Sequence, residues 1–203
     1  VTKEWALFDY GVGNLHSLRK ALEAAGASPR ITTQPSDLDK AAVAVLPGVG
    51  AFGAVMESLE GARGVLRDRH RDGRPIFGVC IGSQVLHDAS EESPGAKGLG
   101  LIPGPVERLP DSDGKVPHMG WNQVDAKADP LFAGLDGRPF AYYVHSYAAP
   151  VLPQTVATTT YGMVFSAAVR DGNTVGIQFH PEKSSAVGAR VLKNAVATLG
   201  AAA

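Results

Sequence analysis

The sequence predicts an α/β fold: a three-layer αβα sandwich with a mostly parallel central sheet and antiparallel strands added in the second half. Three observations carry this. Short apolar runs alternate with segments of helical period through the first half, the pattern of parallel strands joined by crossover helices. The runs end at Gly-containing turns, Asp9-Tyr10-Gly11 and Pro47-Gly48 among them. The second half has strand composition and one clear hairpin signal.

Taken in order, Trp5 to Phe8 is the first strand. A helix follows from near Asn14, with Leu15, Leu18, Leu22 and Ala25 on one face and Gly26 at its C-terminal cap. Ala42 to Leu46 is a strand and Ala51 to Leu59 a helix. Pro75 to Val79 is the third strand, and a helix is expected over Ile81 to Ala89. Phe140 to Val144 and Thr155 to Thr160 read as buried strands. Val164 to Val169 and Thr174 to Phe179 flank Arg170-Asp171-Gly172-Asn173, a hairpin turn. The last helix runs from Ser184 to Leu199, with Val187, Val191, Leu192 and Ala195 inward and Gly200 at its end. No linker divides the chain, so residues 1–203 are expected to form one domain.

Composition narrows the function. With 203 residues, 44% of them apolar, the chain has material for a real core. A net charge of −1 provides no basic face for nucleic acid. The longest stretch without a charged residue, Pro139 to Val169, is broken by Pro150 and Pro153. It falls short of the roughly 20 continuous apolar residues of a membrane span. Val1-Thr2-Lys3-Glu4-Trp5 lacks the features of a signal peptide. A soluble, cytoplasmic protein is the expectation. The single cysteine, Cys80, rules out an internal disulfide and argues against a cysteine-based metal cluster.

Cys80 sits in the sharpest local signal, Phe77-Gly78-Val79-Cys80-Ile81-Gly82. A strand ends in Gly-x-Cys-x-Gly and a helix begins at once, the cysteine counterpart of a nucleophile elbow. Gly78 and Gly82 supply the small neighbours that the tight turn requires. The turn also sets the sulfur at a helix N-terminus, which favours thiolate, and the Ile81 amide faces the same space as an oxyanion donor. The plainer reading is a core cysteine between two packing glycines.

A cysteine nucleophile needs a base. Of six histidines, His180 stands out in Gln178-Phe179-His180-Pro181-Glu182. In extended chain, residues two apart share a side, so Glu182 can orient His180. His118 and His145 have no carboxylate two residues away. Pro47-Gly48-Val49-Gly50 again follows a strand and precedes a helix, and its glycines let a peptide swing its N–H toward a ligand. Val49 is assigned as the second oxyanion donor, with Gly48 giving the freedom. The turn lacks the rest of a dinucleotide or phosphate-loop fingerprint.

With these residues in view, the chain resembles the glutaminase subunits of imidazole glycerol phosphate synthase, within the class I (triad) glutamine amidotransferases. The resemblance spans nearly the whole length. It rests on Asp9-Tyr10-Gly11-Val12-Gly13-Asn14, Pro47-Gly48-Val49-Gly50-Ala51-Phe52 and Gly78-Val79-Cys80-Ile81-Gly82-Ser83-Gln84. Val116-Pro117-His118-Met119-Gly120-Trp121-Asn122, Val144-His145-Ser146-Tyr147 and Phe179-His180-Pro181-Glu182-Lys183-Ser184 complete it.

The resemblance implies glutamine hydrolysis through a cysteinyl thioester, with no cofactor. The ammonia would pass to a separate cyclase subunit, in a heterodimer that forms imidazole glycerol phosphate and an aminoimidazole carboxamide ribonucleotide for histidine biosynthesis. It implies that Gly50, Gln84, Glu92, His145, Ser146 and Tyr147 hold the substrate. Glu92 would meet the α-ammonium group, and Gly50 with the 145–147 segment the α-carboxylate. Asn14, Trp121 and Lys183 would face the partner. Read without the family, Asn14 is a helix cap, Trp121 a core residue and Lys183 a solvated charge. Ser83 departs from the methionine common in the family and should remove apolar area near the subunit junction. The triad alone also fits a glutaminase that feeds a synthase making pyridoxal phosphate or anthranilate. A non-catalytic interaction subunit on the same fold is the alternative of a different class.

Overall fold

The computed structural model describes residues 4–11, 15–111 and 115–202. Its first half comprises β1 (Glu4–Phe8), α1 (His16–Ala24), β2 (Ser28–Thr32), α2 (Pro35–Lys40), β3 (Val43–Leu46), α3 (Phe52–Ser58), α4 (Arg63–Arg71), β4 (Ile76–Val79) and α5 (Ile81–Gln84). The second half begins with β5 (Ala89–Ser90), β6 (Pro105–Arg108), β7 (His118–Gln123), β8 (Asp125–Ala126), β9 (Phe140–His145) and β10 (Tyr147–Ala148). It ends with β11 (Thr155–Tyr161), β12 (Met163–Asp171), β13 (Thr174–Ile177) and α6 (Ser185–Leu199). No described helix is long and apolar enough to cross a membrane.

The central sheet is mixed, in the order β2-β1-β3-β4-β13-β12-β11-β8. From β2 to β13 every pairing is parallel, and from β13 to β8 every pairing is antiparallel. Both faces are covered, and the alternation of side chains along each strand shows it. Trp5 and Leu7 of β1 join a core with Leu18 and Leu22 of α1 and Val191 and Leu192 of α6. Ala6 and Phe8 point the other way, into a core with Leu38 of α2, Met56 of α3 and Leu66 of α4. The buried Arg69 of α4 ties the starts of β3 and β4 together. Its guanidinium donates to the carbonyls of Ala41, Ala42 and Pro75 at 2.8–2.9 Å.

Several local expectations change. The helix after Cys80 stops at Gln84 instead of reaching Ala89, which lies in β5. The reason is competition for carbonyls. Those of Val85, Leu86 and His87 accept from Leu99, Leu101 and Gly100, so a returning loop takes the acceptors that a longer helix would use. The hairpin loop is tighter than expected: Asp171 pairs with Thr174, leaving Gly172 and Asn173 as the turn. Gly172 has φ +57°, as a two-residue hairpin of this kind demands. On α6, Val187 is only half-buried and Gly188 takes the inner position. A Cβ on Gly188 would lie 1.9 Å from the Pro181 carbonyl, so only glycine lets the helix settle there. β9 is not in the central sheet. It pairs with β7 as a separate ribbon with Phe140, on its outer face, 51% exposed.

The parallel run from β1 to β13 has a consequence for the site. Because β3, β4 and β13 are adjacent and parallel, the turns that leave them emerge side by side at one edge of the sheet, where open α/β sheets hold ligands. The elbow after β4 fits there only because Gly78 and Gly82 lack side chains. A Cβ on Gly82 would sit 2.0 Å from the Leu46 carbonyl oxygen, and one on Gly78 2.4 Å from that of Gly82. Gly82→Ala should therefore cost about 3 kcal/mol or more, the upper end of overpacking effects. Gly64→Ala, in an exposed stretch of α4 with open space around it, should be neutral or stabilising. Thermal melting of both variants is the check, and equal melting temperatures would contradict the packing account.

Candidate active site

Cys80 leaves β4 with φ +49° and ψ −111°, a left-handed backbone rare for a residue with a side chain. Such a conformation costs roughly 1–3 kcal/mol and persists only where its surroundings impose it. Here the Cys80 N–H donates to Ile177 of β13, and its carbonyl accepts from Ser83 and Gln84. The thiol is 7% exposed, with its sulfur 3.9 Å from the Val144 carbonyl oxygen. Ile81 is the first helical residue, so its N–H lies outside the helical ladder and is free to serve a ligand. The helix dipole contributes less than the sequence suggests, because α5 is a single turn.

From β13 the chain runs through Gln178 and Phe179 to His180, whose N–H donates to Tyr142 of β9. Ser184 clamps this turn: its hydroxyl donates to the His180 carbonyl at 2.6 Å and accepts from the Tyr142 N–H at 2.9 Å. His180 Nδ1 and Glu182 Oε1 are 2.7 Å apart, as the i, i+2 relation anticipates. Nε2 of His180 is enclosed without a hydrogen-bond partner. Burial pulls the His180 pKa down, but the Cys80 sulfur and the Glu182 carboxylate outweigh it and raise it to about 10. Since Nε2 makes no formed hydrogen bond, Cys80 acts on the ring by proximity and charge.

The turn after β3 brings Gly48 against both groups. A Cβ there would lie 2.9 Å from His180 Cε1 and 3.0 Å from Cys80 Cβ. Gly50 has φ +101°. Pro47, Gly48, Val49 and Gly50 line a cavity of about 360 Å3 together with Cys80, His180, Glu182 and Lys183. A second cavity of about 240 Å3 adjoins it, with Gly50, Cys80, Ile81 and Val144 lining both. Its walls include Gly50, Ile81, Gln84, Glu92 and the His145-Ser146-Tyr147 segment. All six expected substrate residues thus meet in one space beside the sulfur. Glu92 has a second task there. Its Oε2 accepts from the Phe52 N–H at 2.7 Å, which caps α3 and anchors the far end of the Gly48 turn.

Behind this cavity runs a chain of neutral polar groups. The carbonyl of Tyr147 can only accept, so His145 donates to it from Nδ1 at 2.9 Å. His145 Nε2 must then accept, and His118 Nδ1 donates to it at 2.9 Å. His118 Nε2 in turn accepts from Asn122 at 3.2 Å. Burial pushes His118 down to about 4 and His145 to about 3, so both are neutral near pH 7. Neither is a rival base, because every ring nitrogen is already engaged.

The partner-face residues divide. Trp121 is 52% exposed rather than core, next to Tyr142 and two residues from the exposed Met119. The Lys183 ammonium lies 5.7 Å from the Tyr142 ring centroid. Asn14 lies outside the described residues. Ser83 is buried, with its side chain against Gly176 of β13, so it adds nothing to an exposed face. Among the described residues no group of three or more His, Cys, Asp or Glu side chains could hold a metal ion.

Comparison with known proteins agrees with this geometry. The family model of the class I glutamine amidotransferases matches residues 6–199. Imidazole glycerol phosphate synthase subunit HisH of Halobacterium salinarum is 50% identical, over 93% of this chain and 90% of its own. The subunit HisH of Methanosarcina barkeri is 46% identical over 96% and 98%, and that of Deinococcus radiodurans 48% over 94% and 92%. The chain belongs to the HisH family of class I glutamine amidotransferases. Solved structures share the fold at lower identity. They include PurLQS from Thermotoga maritima (TM-score 0.76, 16% identical, covering 98% of this chain and 100% of that one). The Trypanosoma brucei CTPS glutaminase domain has a TM-score of 0.71 at 17% identity, covering 98% and 94%.

Two residues of this HisH-family site escape the sequence reading. Ser184 stands inside a quoted motif, but its clamp on β9 is visible only in space. Gln178 is two residues before His180, and the alternation that paired His180 with Glu182, extended one step back, points to it as well. The charge pattern of the HisH-family site is open to a direct check. In a histidine-labelled protein at pH 7, nitrogen NMR should find His180 protonated on both nitrogens and His118 and His145 neutral with hydrogen on Nδ1. Glu182→Gln removes an influence that raises His180, so its titration midpoint should fall. A neutral His180 at pH 7 in the wild type would contradict the assignment.

Proposed function

We propose that Cys80, His180 and Glu182 carry the glutaminase reaction of this amidotransferase, and that the released ammonia serves a cyclase subunit in imidazole glycerol phosphate synthesis. The observation that carries the proposal is the convergence of three neighbouring strand-end turns on one sulfur. Cys80, the His180–Glu182 pair at 2.7 Å and Gly48 all border the same cavity.

In this reading the glutamine side chain enters the cavity lined by Gln84 and Glu92. His180 already holds the proton taken from Cys80, and the thiolate attacks the amide carbon. The oxyanion is met by the Ile81 N–H and, from the opposite side, by the Val49 N–H. The C–N bond breaks as His180 gives its proton to the departing nitrogen, so ammonia leaves and a glutamyl thioester remains. Water then yields a proton to His180 and attacks the thioester, releasing glutamate and restoring the sulfur. Glu182 keeps the ring oriented and steadies its charged form.

The partner is read from the β7–β9 ribbon. Met119, Trp121 and Phe140 expose 63%, 52% and 51% of their surface, an apolar face such as docking sites use. Lys183 belongs both to this face, through Tyr142, and to the cavity on the oxyanion-turn side of Cys80. A cyclase docked here is placed to receive ammonia and to set the Gly48–Val49 peptide, whose flanking glycines allow two orientations. Glutaminase activity is then low in the chain alone and rises on assembly.

The test is turnover by wild type and Cys80→Ala, alone, with the cyclase subunit, and with cyclase plus ribonucleotide. The wild type should consume glutamine appreciably only when assembled. The variant should lose glutamine-dependent synthesis and keep ammonia-dependent synthesis by the partner. Appreciable glutamine consumption by Cys80→Ala would overturn the triad, and equal wild-type rates in all three conditions would overturn the control by assembly.

A further inference from the structure

In the resting triad His180 acts on the Cys80 sulfur through its charge and not through a formed hydrogen bond. The helix α5 is too short to lend much of a dipole. A carbonyl, that of Val144, lies 3.9 Å from the sulfur and would repel its negative form. One buried donor faces the sulfur. Gln178 Nε2 is 3.6 Å from Cys80 Sγ, and the residue is 3% exposed.

Which end of the Gln178 amide meets the sulfur is decided by its neighbours. Gln84 Nε2 donates to the Tyr147 carbonyl at 2.7 Å and to Gln178 Oε1 at 3.1 Å. The Tyr147 carbonyl is a backbone acceptor, so Gln84 must present its nitrogen to it. The same nitrogen then requires an acceptor from Gln178. Flipping Gln178 would set two amide nitrogens against each other and aim an oxygen at the sulfur. His145, donating to the same Tyr147 carbonyl, holds the far end of this chain in place. The orientation is therefore imposed by buried groups and does not depend on solvent.

We propose that Gln178 is a further catalytic residue, whose side-chain N–H holds the Cys80 thiolate in line for attack and is aimed there by Gln84. The inference rests on Cys80 being the nucleophile, and its test separates the two. The Gln178 donor acts on the sulfur itself, so it should affect any reaction of that sulfur, with or without glutamine. It should lower kcat while leaving KM for glutamine nearly unchanged, because no atom of Gln178 is assigned to the substrate.

The experiment measures alkylation of the full chain by iodoacetamide at pH 8, where the sulfur displaces iodide, with peptide mass locating the label. Circular dichroism confirms folding. Gln178→Met fills similar space without a donor, and Gln178→Glu keeps the acceptor for Gln84 but turns a carboxylate toward the sulfur. Labelling at Cys80 should slow about tenfold in Gln178→Met, the worth of one hydrogen bond to a charged group, and at least as much in Gln178→Glu. In the assembled enzyme Gln178→Met should show a similar fall in kcat. If iodoacetamide fails to mark Cys80 in the wild type, the nucleophile reading fails. If it marks wild type and either folded variant at equal rates, or if only KM changes, the role of Gln178 is overturned.

Discussion

The whole site depends on one backbone conformation, the left-handed turn at Cys80. A residue with a Cβ resists φ +49°, and two missing side chains make the turn possible. Gly78 lets α5 fold back over the end of β4, and Gly82 lets it press against the Leu46 carbonyl of β3. The thiol is thereby lifted out of the sheet at the edge where β3 and β13 also end. The residues that act with it need only be placed on the adjoining turns, and parallel pairing of β3, β4 and β13 does that.

Much of this was legible in the sequence because its causes are local. A Gly-x-Cys-x-Gly string between strand and helix points to an elbow from local pattern alone, and the i, i+2 relation of His180 and Glu182 follows from extended geometry. Gly26 and Gly172 take the positive φ that their turn positions require. The length of α5 was not legible. Its stretch reads as helix, and only the returning 99–102 segment, distant in sequence, removes the carbonyls it would need. The edge strand β2 and the charged helix α4 carried too little apolar pattern to be assigned, since β2 is mostly exposed and the described core of α4 is Leu66 and Arg69. The tautomers of His118 and His145 depend on Tyr147 and Asn122 across two strands, and no spacing rule reaches that far.

The β7–β9 ribbon joins two roles that the sequence presents as separate motifs. Its outer side carries Met119, Trp121 and Phe140, and its inner side carries His118 and His145. Alternation along paired strands makes this unavoidable, because neighbouring residues face opposite ways. The proposed docking surface and the hydrogen-bonded wall of the proposed glutamine cavity are thus two faces of the same pair of strands. Burial of neutral imidazoles is affordable here only because each nitrogen has a partner.

The proposed reaction depends most directly on Cys80 being the nucleophile at the meeting point of the three turns. A glutamine analogue with an electrophilic side chain, given to the chain assembled with the proposed cyclase partner, tests this by mass spectrometry. One added group per chain is expected, on Cys80, with free glutamine protecting against it. Attachment to any other residue, or no attachment to the assembled enzyme, would contradict that role.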